Sequence, residues 1–259
     1  PPRAPTLPGV SVLTTERHDR ILVMTMERVE KRNAINPEMT AAIDAALNEL
    51  DDDTDLWVGV LTGGTQVFSA GTDLKERSGK PTVRGGEYGI IRRRRAKPLI
   101  AAVEGLALGG GFEIAIACDV IVAASNARWG FPEVRRGVVA SSGALFRAPR
   151  SLPLHVAKEL LLTGAETSTD RLERLGVVNR ITEPGGALAG ALAMAREMCV
   201  NSPTAVQQTL RAVDRIVGES DDFGWAATAD SVRTNFASAD SAEGVAAFLE
   251  KRTPTWTGR

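Results

Sequence analysis

The chain has 259 residues, 43% hydrophobic and 24% charged, with a formal net charge of −1 at pH 7. That length allows one large core, or a core with a smaller appended domain, and the near-zero charge argues against general nucleic-acid or membrane-surface binding. The only two cysteines, Cys118 and Cys199, lack CxxC spacing and support neither a disulfide scaffold nor a zinc site, so both are expected to be small buried hydrophobes.

No run of 18 apolar residues predicts a transmembrane helix. The opening PPRAPTLPGV lacks the charged-then-apolar order of a secretory signal. It does not begin with Met, so a removed targeting segment stays open, and the cytoplasm is the expected compartment.

Taken in order, the Pro-rich first ten residues are expected to be loose. Residues 10–15 and 21–26 read as strands joined by a turn at 17–20. Asn36 is a good N-cap, Pro37 fits the first helical position and Glu38 the first turn. A helix is predicted to about Leu50, with Met39, Ile43, Ala46, Leu47 and Leu50 as its apolar face, closed by the acidic run 51–55. Residues 57–61 read as a buried strand, followed by a Gly63-Gly64 turn and another strand ending at Phe68. SAGTDLKER, 69–77, reads as a glycine turn leading into a short helix. Residues 78–97, with Gly79, Pro81, Gly85, Gly86 and Gly89, read as mobile. Their arginine run, Arg92 to Arg95, has no interleaved aromatics and reads as a solvated helix face or a phosphate rim rather than a nucleic-acid site.

The segment 99–137 is the richest. An apolar strand, 99–103, leads to Gly109, Gly110 and Gly111, where a helix would begin with its free N–H groups aimed at a ligand. Glu113 would lie in the first turn of that helix, whose other residues are apolar on every side, so its carboxylate needs a partner or a chemical task. A second apolar run, 120–124, precedes Glu133, which follows Pro132. From 151 onward helical periodicity dominates, at 155–162, 191–200, 203–217, 223–237 and 242–251, with a strand at 177–181. Strands alternating with helices predict an α/β core with layered or parallel strands, followed by a helical section and no long linker.

Five stretches bear a likeness to one family. FSAGTDLKE at 68–76, GLALGGGFEIAIACD at 105–119, WGFPEVRRG at 129–137, AFLEKR at 247–252 and RNAIN at 32–36 together resemble the crotonase superfamily, the enoyl-CoA hydratase/isomerase group. The resemblance implies an α/β, ClpP/crotonase-like spiral of repeated ββα units, with a core over 1–200 and a C-terminal helical oligomerisation region over 201–259. It implies trimers or pairs of trimers, an acyl-CoA substrate, no metal, and no cofactor beyond the CoA carried by the substrate.

By position the resemblance puts the oxyanion hole on the N–H groups of Thr72 and Gly110. Two preorganised donors would stabilise the charge that builds on a thioester oxygen, and removing one such donor typically costs roughly 3 kcal/mol. It matches Glu113 and Glu133 to the two glutamates that mark hydratases, with Glu133 donating a proton to Cα and Glu113 positioning water. It places CoA against Arg32, Ala34, Ala70, Asp73 and Leu74, and against Phe248 and Lys251, which often come from a neighbouring subunit. The chain departs from the pattern at 140–147, where ASSGALFR stands for PGAGG followed by TQRL. Phe131, Trp129 and Phe146 suggest an apolar, reshaped acyl pocket.

The expected activity is a 2-enoyl-CoA hydratase using two glutamates and a backbone oxyanion hole. The alternatives are a carnitinyl-CoA dehydratase-like enzyme, which the ending FLEKRTPTWTGR resembles, an enoyl-CoA isomerase, an acyl-CoA hydrolase, or a silent CoA-binding subunit. Other catalytic designs fit poorly: there are only two histidines, His18 and His155, and no GxSxG, HExxH or P-loop.

Overall fold

The structure is a computed structural model that describes residues 11–258. The expectation for the first ten residues, and Val10 of the first predicted strand, lie outside that range. Six strands form the larger sheet: β1 (Leu13–His18), β2 (Ile21–Met26), β3 (Val58–Thr62), β4 (Leu99–Val103), β6 (Val120–Ala124) and β9 (Arg180–Thr182), hydrogen-bonded in that spatial order. Only the β1–β2 pair is antiparallel; the other neighbours run parallel. β3 and β4 are buried throughout, as parallel strands covered on both faces must be. A smaller sheet holds β5 (Leu106–Leu108), β7 (Arg128–Gly130) and β8 (Glu166–Ser168).

Alternation along the strands divides the core. Leu22, Met24 and Met26 face α1 (Pro37–Asp52), whose Met39, Ile43, Ala46, Leu47 and Leu50 are all buried. Ile21 and Val23, with Val58, Val60, Ile100 and Val122, face α6 (Ala187–Cys199), where Ala187, Ala191 and Ala195 recur every fourth residue and let the helix lie close to the sheet. α1 starts as its sequence demands, with the Asn36 side chain accepting from Met39 N at 2.9 Å and Pro37 in the first turn.

The two sheets produce the repeat. A strand of the larger sheet leads into a short strand of the smaller one and then a helix, as β4, β5 and α2 (Gly110–Ala117) do. The remaining helices are α3 (Ala144–Ser151), α4 (Leu154–Thr163), α5 (Thr169–Arg174), α7 (Pro203–Val217), α8 (Asp221–Phe236) and α9 (Ala239–Glu250). Among the described residues no helix is long and apolar enough to cross a membrane.

Several expectations are corrected. The first strand runs to His18, so the turn is confined to Asp19 and Arg20. The strand expected to end at Phe68 reduces to a single bridge between Ser69 and Ala107. The helix expected after Ser69 is a turn, in which Asp73 Oδ1 accepts from Lys75 N and Glu76 N. The strand expected at 177–181 begins at Arg180, while Val177 and Val178 pack into the core.

Residues 78–97 are not loose. Tyr88, Ile90 and Ile91 are buried, and Arg93, with a side chain only 1% exposed, pairs with Asp44 at 2.6 Å and Asp51 at 2.8 Å. Arg95 pairs with Asp119 at 2.5 Å, and the Lys97 ammonium donates to the carbonyls of Leu50 and Asp53. Buried cations require such partners. The expectation of a solvated face or phosphate rim is therefore corrected for Arg93 and Arg95, which are buried in ion pairs, while Arg92 and Arg94 remain exposed. Cys118 and Cys199 are free and half-buried rather than buried, at the ends of α2 and α6 on the margins of the two core clusters.

Candidate active site

Three successive turns leave the same end of the smaller sheet, and this gathers the site. Ser69 bridges to Ala107 beside β5, and β5 pairs with β7 through Leu108 and Gly130. Thr72 comes three residues after that bridge, Gly110 two residues after β5, and Glu133 three residues after β7. Segments that part in sequence by as much as 61 positions thus emerge side by side.

Gly71, at φ +87°, brings the first two turns into contact. A Cβ there would lie 2.7 Å from Gly110 N and 2.8 Å from Leu108 O, a spacing only glycine tolerates. The N–H groups of Thr72 and Gly110 meet no acceptor among the described residues, whereas their neighbours are bound: Asp73 N donates to Ile35 O and Gly109 N to Gly130 O, both at 2.9 Å. Two adjacent free N–H groups, one at a helix start, form a ready site for a developing negative charge.

Glu113 is 2% exposed in the first turn of α2. Its Oε1 accepts from Ser142 N at 2.7 Å and Ala144 N at 3.1 Å, so the departing segment at 140–147 is what holds this carboxylate. Glu133 lies in a short 3-10 turn, Pro132–Arg136. Its Oε1 stands 2.9 Å from where a Cβ on Gly109 would be, and its Oε2 is buried without a hydrogen-bond partner. Burial, followed by the Glu133 charge, pushes the Glu113 carboxyl well above the ordinary carboxylate value; burial also pushes Glu133 up. Both buried carboxyls thus resist ionisation, and a charge on Glu133 makes it harder still for Glu113 to lose its proton.

Aromatic packing fixes the spacing. Phe112 of α2 stacks on Phe131 at 4.5 Å and meets Trp129 edge-on at 5.2 Å. All three rings are fully buried, so Trp129 and Phe131 are core walls that seat α2 against the Glu133 turn. Phe146 faces away, against Trp225 of α8 at 4.9 Å. The expectation that these rings shape an apolar acyl pocket is corrected accordingly.

Of the residues expected at CoA, five lie together. Ala70 N donates to Arg32 O at 2.9 Å, Ile35 pairs with Thr72 beside Ala34, and Asp73 and half-buried Leu74 complete the turn. The Asp73 carboxylate is already committed to Arg28 at 3.2 Å and to two backbone N–H groups. Phe248 and Lys251 stand apart at the end of α9, where the Arg136 guanidinium covers the Phe248 ring at 4.8 Å.

Sequence reasoning missed Tyr88. It is the only tyrosine of the chain, in the segment read as mobile. Its Oη lies 2.7 Å from Thr72 Oγ1, and a Cβ on Gly110 would be 2.5 Å from it. Among the described residues no cluster of three or more His, Cys, Asp or Glu side chains forms a metal site.

A family model described as enoyl-CoA hydratase/isomerase matches residues 16–259. The chain belongs to the enoyl-CoA hydratase/isomerase family. It is 38% identical to the mevalonyl-coenzyme A hydratase sidH of Aspergillus fumigatus over 97% of this chain and 96% of that one. It is 33% identical to the short-chain-enoyl-CoA hydratase of Clostridium acetobutylicum over 92% of this chain and 94% of that one. The crystal structure of a carnitinyl-CoA hydratase from Mycobacterium avium superposes with a TM-score of 0.91 at 35% identity, covering 97% of this chain and all of that one. The spiral of ββα units with a helical C-terminal region is the crotonase fold.

Proposed function

We propose that this chain is an enoyl-CoA hydratase that adds water across the 2,3 double bond of a 2-enoyl-CoA thioester, reversibly. One observation carries the reading: two buried carboxyls with raised affinity for protons flank two adjacent, unpaired backbone N–H groups. In the proposed reaction the N–H groups of Thr72 and Gly110 bind the thioester oxygen and stabilise the enolate that forms as oxygen adds to Cβ. Glu113, its Oε1 occupied by two backbone donors, keeps Oε2 to take a proton from the attacking water. Glu133, with Oε2 unpartnered, delivers a proton to Cα. A proton shared by the pair gives one carboxylate and one carboxylic acid, and the addition proceeds from the state in which that proton rests on Glu133 and Glu113 is ionised.

Arg32, Ala34, Ala70, Asp73 and Leu74 would line the CoA entrance, largely through backbone, with Phe248 and Lys251 meeting CoA from a neighbouring subunit. The exposed apolar side chains of α7 and α8 support a homo-oligomer, for which trimers or pairs of trimers are the expectation. The free thiols of Cys118 and Cys199 fit a reducing compartment such as the cytoplasm.

Incubation with crotonyl-CoA tests the reading. The expected product is 3-hydroxybutyryl-CoA, with loss of the conjugated thioester absorbance. Migration of the double bond in longer enoyl chains without hydration, or release of free CoA, would favour the isomerase or hydrolase alternatives.

A further inference from the structure

Tyr88 touches both turns of the anion-binding notch, and its backbone is strained to do so. Its φ is +56°, in the left-handed region that non-glycine residues seldom occupy, and such strain persists only where surroundings enforce it. Here they do. Gly89 is pressed against Thr40 and Asp44 of α1, Arg92 N donates to Gly85 O at 2.8 Å, and Arg147 Nη2 donates to Ile91 O at 2.7 Å. Arg93, buried on Asp44 and Asp51, locks the far side.

The phenol so presented lies over Gly110 and hydrogen-bonds to the Thr72 hydroxyl at 2.7 Å, with the Ser142 side chain also near it. Thr72 and Gly110 carry the two free N–H groups, and Ser142 N is the shorter of the two bonds that hold Glu113. One hydroxyl therefore stands between the anion-binding notch, to which it is bonded, and the segment that aims the carboxylate. Burial and the charges of Glu113 and Glu133 hold it far above the ordinary phenol range, so it stays protonated at any working pH.

We infer that Tyr88 is a positioning residue for hydration, setting the place of the oxyanion donors relative to Glu113 through its bond to Thr72 and its packing over Gly110. The inference rests on the hydratase reading. Positioning at this level acts on the transition state more than on CoA binding, so it separates kcat from KM.

The test is a double-mutant cycle on crotonyl-CoA with Tyr88→Phe, Thr72→Val and the combination. Phenylalanine keeps the ring, and valine keeps the Thr72 N–H. Loss of one such bond is expected to lower kcat about fivefold to thirtyfold, with KM within about twofold of wild type. The combined variant should be no worse than the more impaired single one, since both remove the same bond. Wild-type kcat in Tyr88→Phe, or losses that multiply, would overturn the inference while leaving the hydratase reading standing. If wild type does not hydrate crotonyl-CoA, binding of acetoacetyl-CoA, an enolate mimic, serves instead. About fivefold weaker binding by Tyr88→Phe supports the inference, and equal binding overturns it. A wild-type chain that neither reacts with the first nor binds the second removes the reading and the inference together.

Discussion

Glu113 is held by backbone that the sequence presents as an irregularity. Serine and alanine stand at 142 and 144, and it is their N–H groups, not side chains, that reach Oε1. A backbone donor survives many substitutions, which is why ASSG can serve in this role. The raised carboxyl has a consequence for stability. It keeps its proton in the folded chain at pH values where the unfolded chain has released it. Stability therefore falls as pH climbs past the ordinary carboxylate value, and the loss is complete above the raised folded value. Glu113→Gln retains an Oε1 acceptor and cannot ionise. Its melting temperature relative to wild type is expected to be more favourable near about pH 8 than near about pH 5. A difference that does not change with pH would contradict the assigned burial of charge.

At the scale of elements, the contact between the first two site turns is set by Gly71. An alanine there would have to shift Gly110 N and strain its own backbone at φ +87°. Gly71→Ala is expected to cost about 1–3 kcal/mol of stability. It should also lower kcat/KM about a hundredfold or more by moving an oxyanion donor, as steady-state kinetics beside denaturant titration would show. Near-wild-type activity would mean that the notch is not where charge develops. α1 was readable because its signals are local: the Asn36 cap, Pro37 and an apolar face at helical spacing. Residues 78–97 were not. Their glycines and prolines describe loop chemistry correctly, but order comes from partners far along the chain, Asp44 for Arg93 and Asp119 for Arg95. Tyr88 was lost with that segment, since nothing local announces a phenol placed beside Thr72. Glu113 and the glycines at 109–111 were legible because helix-start chemistry and an acid in an apolar helix are local features, whereas Thr72 and the role of Glu133 came from the family resemblance. Their meeting depends on the small sheet, which composition and periodicity do not reveal.

Across the whole molecule, the C-terminal helices leave apolar surface uncovered. Ile216 is 74% and Phe223 79% exposed, with Val213, Val217 and Phe236 also in solvent. Large apolar side chains left this exposed on neighbouring helices are the kind of surface that interfaces cover. Light scattering should report a homo-oligomer for wild type and a smaller species for Ile216→Glu with Phe223→Glu; a monomeric wild type would contradict the expected assembly. α9 packs onto the turn that carries Glu133, through Gly244 against Arg136 and Gly137 against Asp240. The central claim, that two glutamates sharing one proton hydrate an enoyl thioester, is tested most directly by crotonyl-CoA turnover in wild type, Glu113→Gln and Glu133→Gln. The prediction is hydration by wild type and a loss of about a hundredfold or more in each variant, with CoA-thioester binding kept. Hydration that survives either substitution would contradict it.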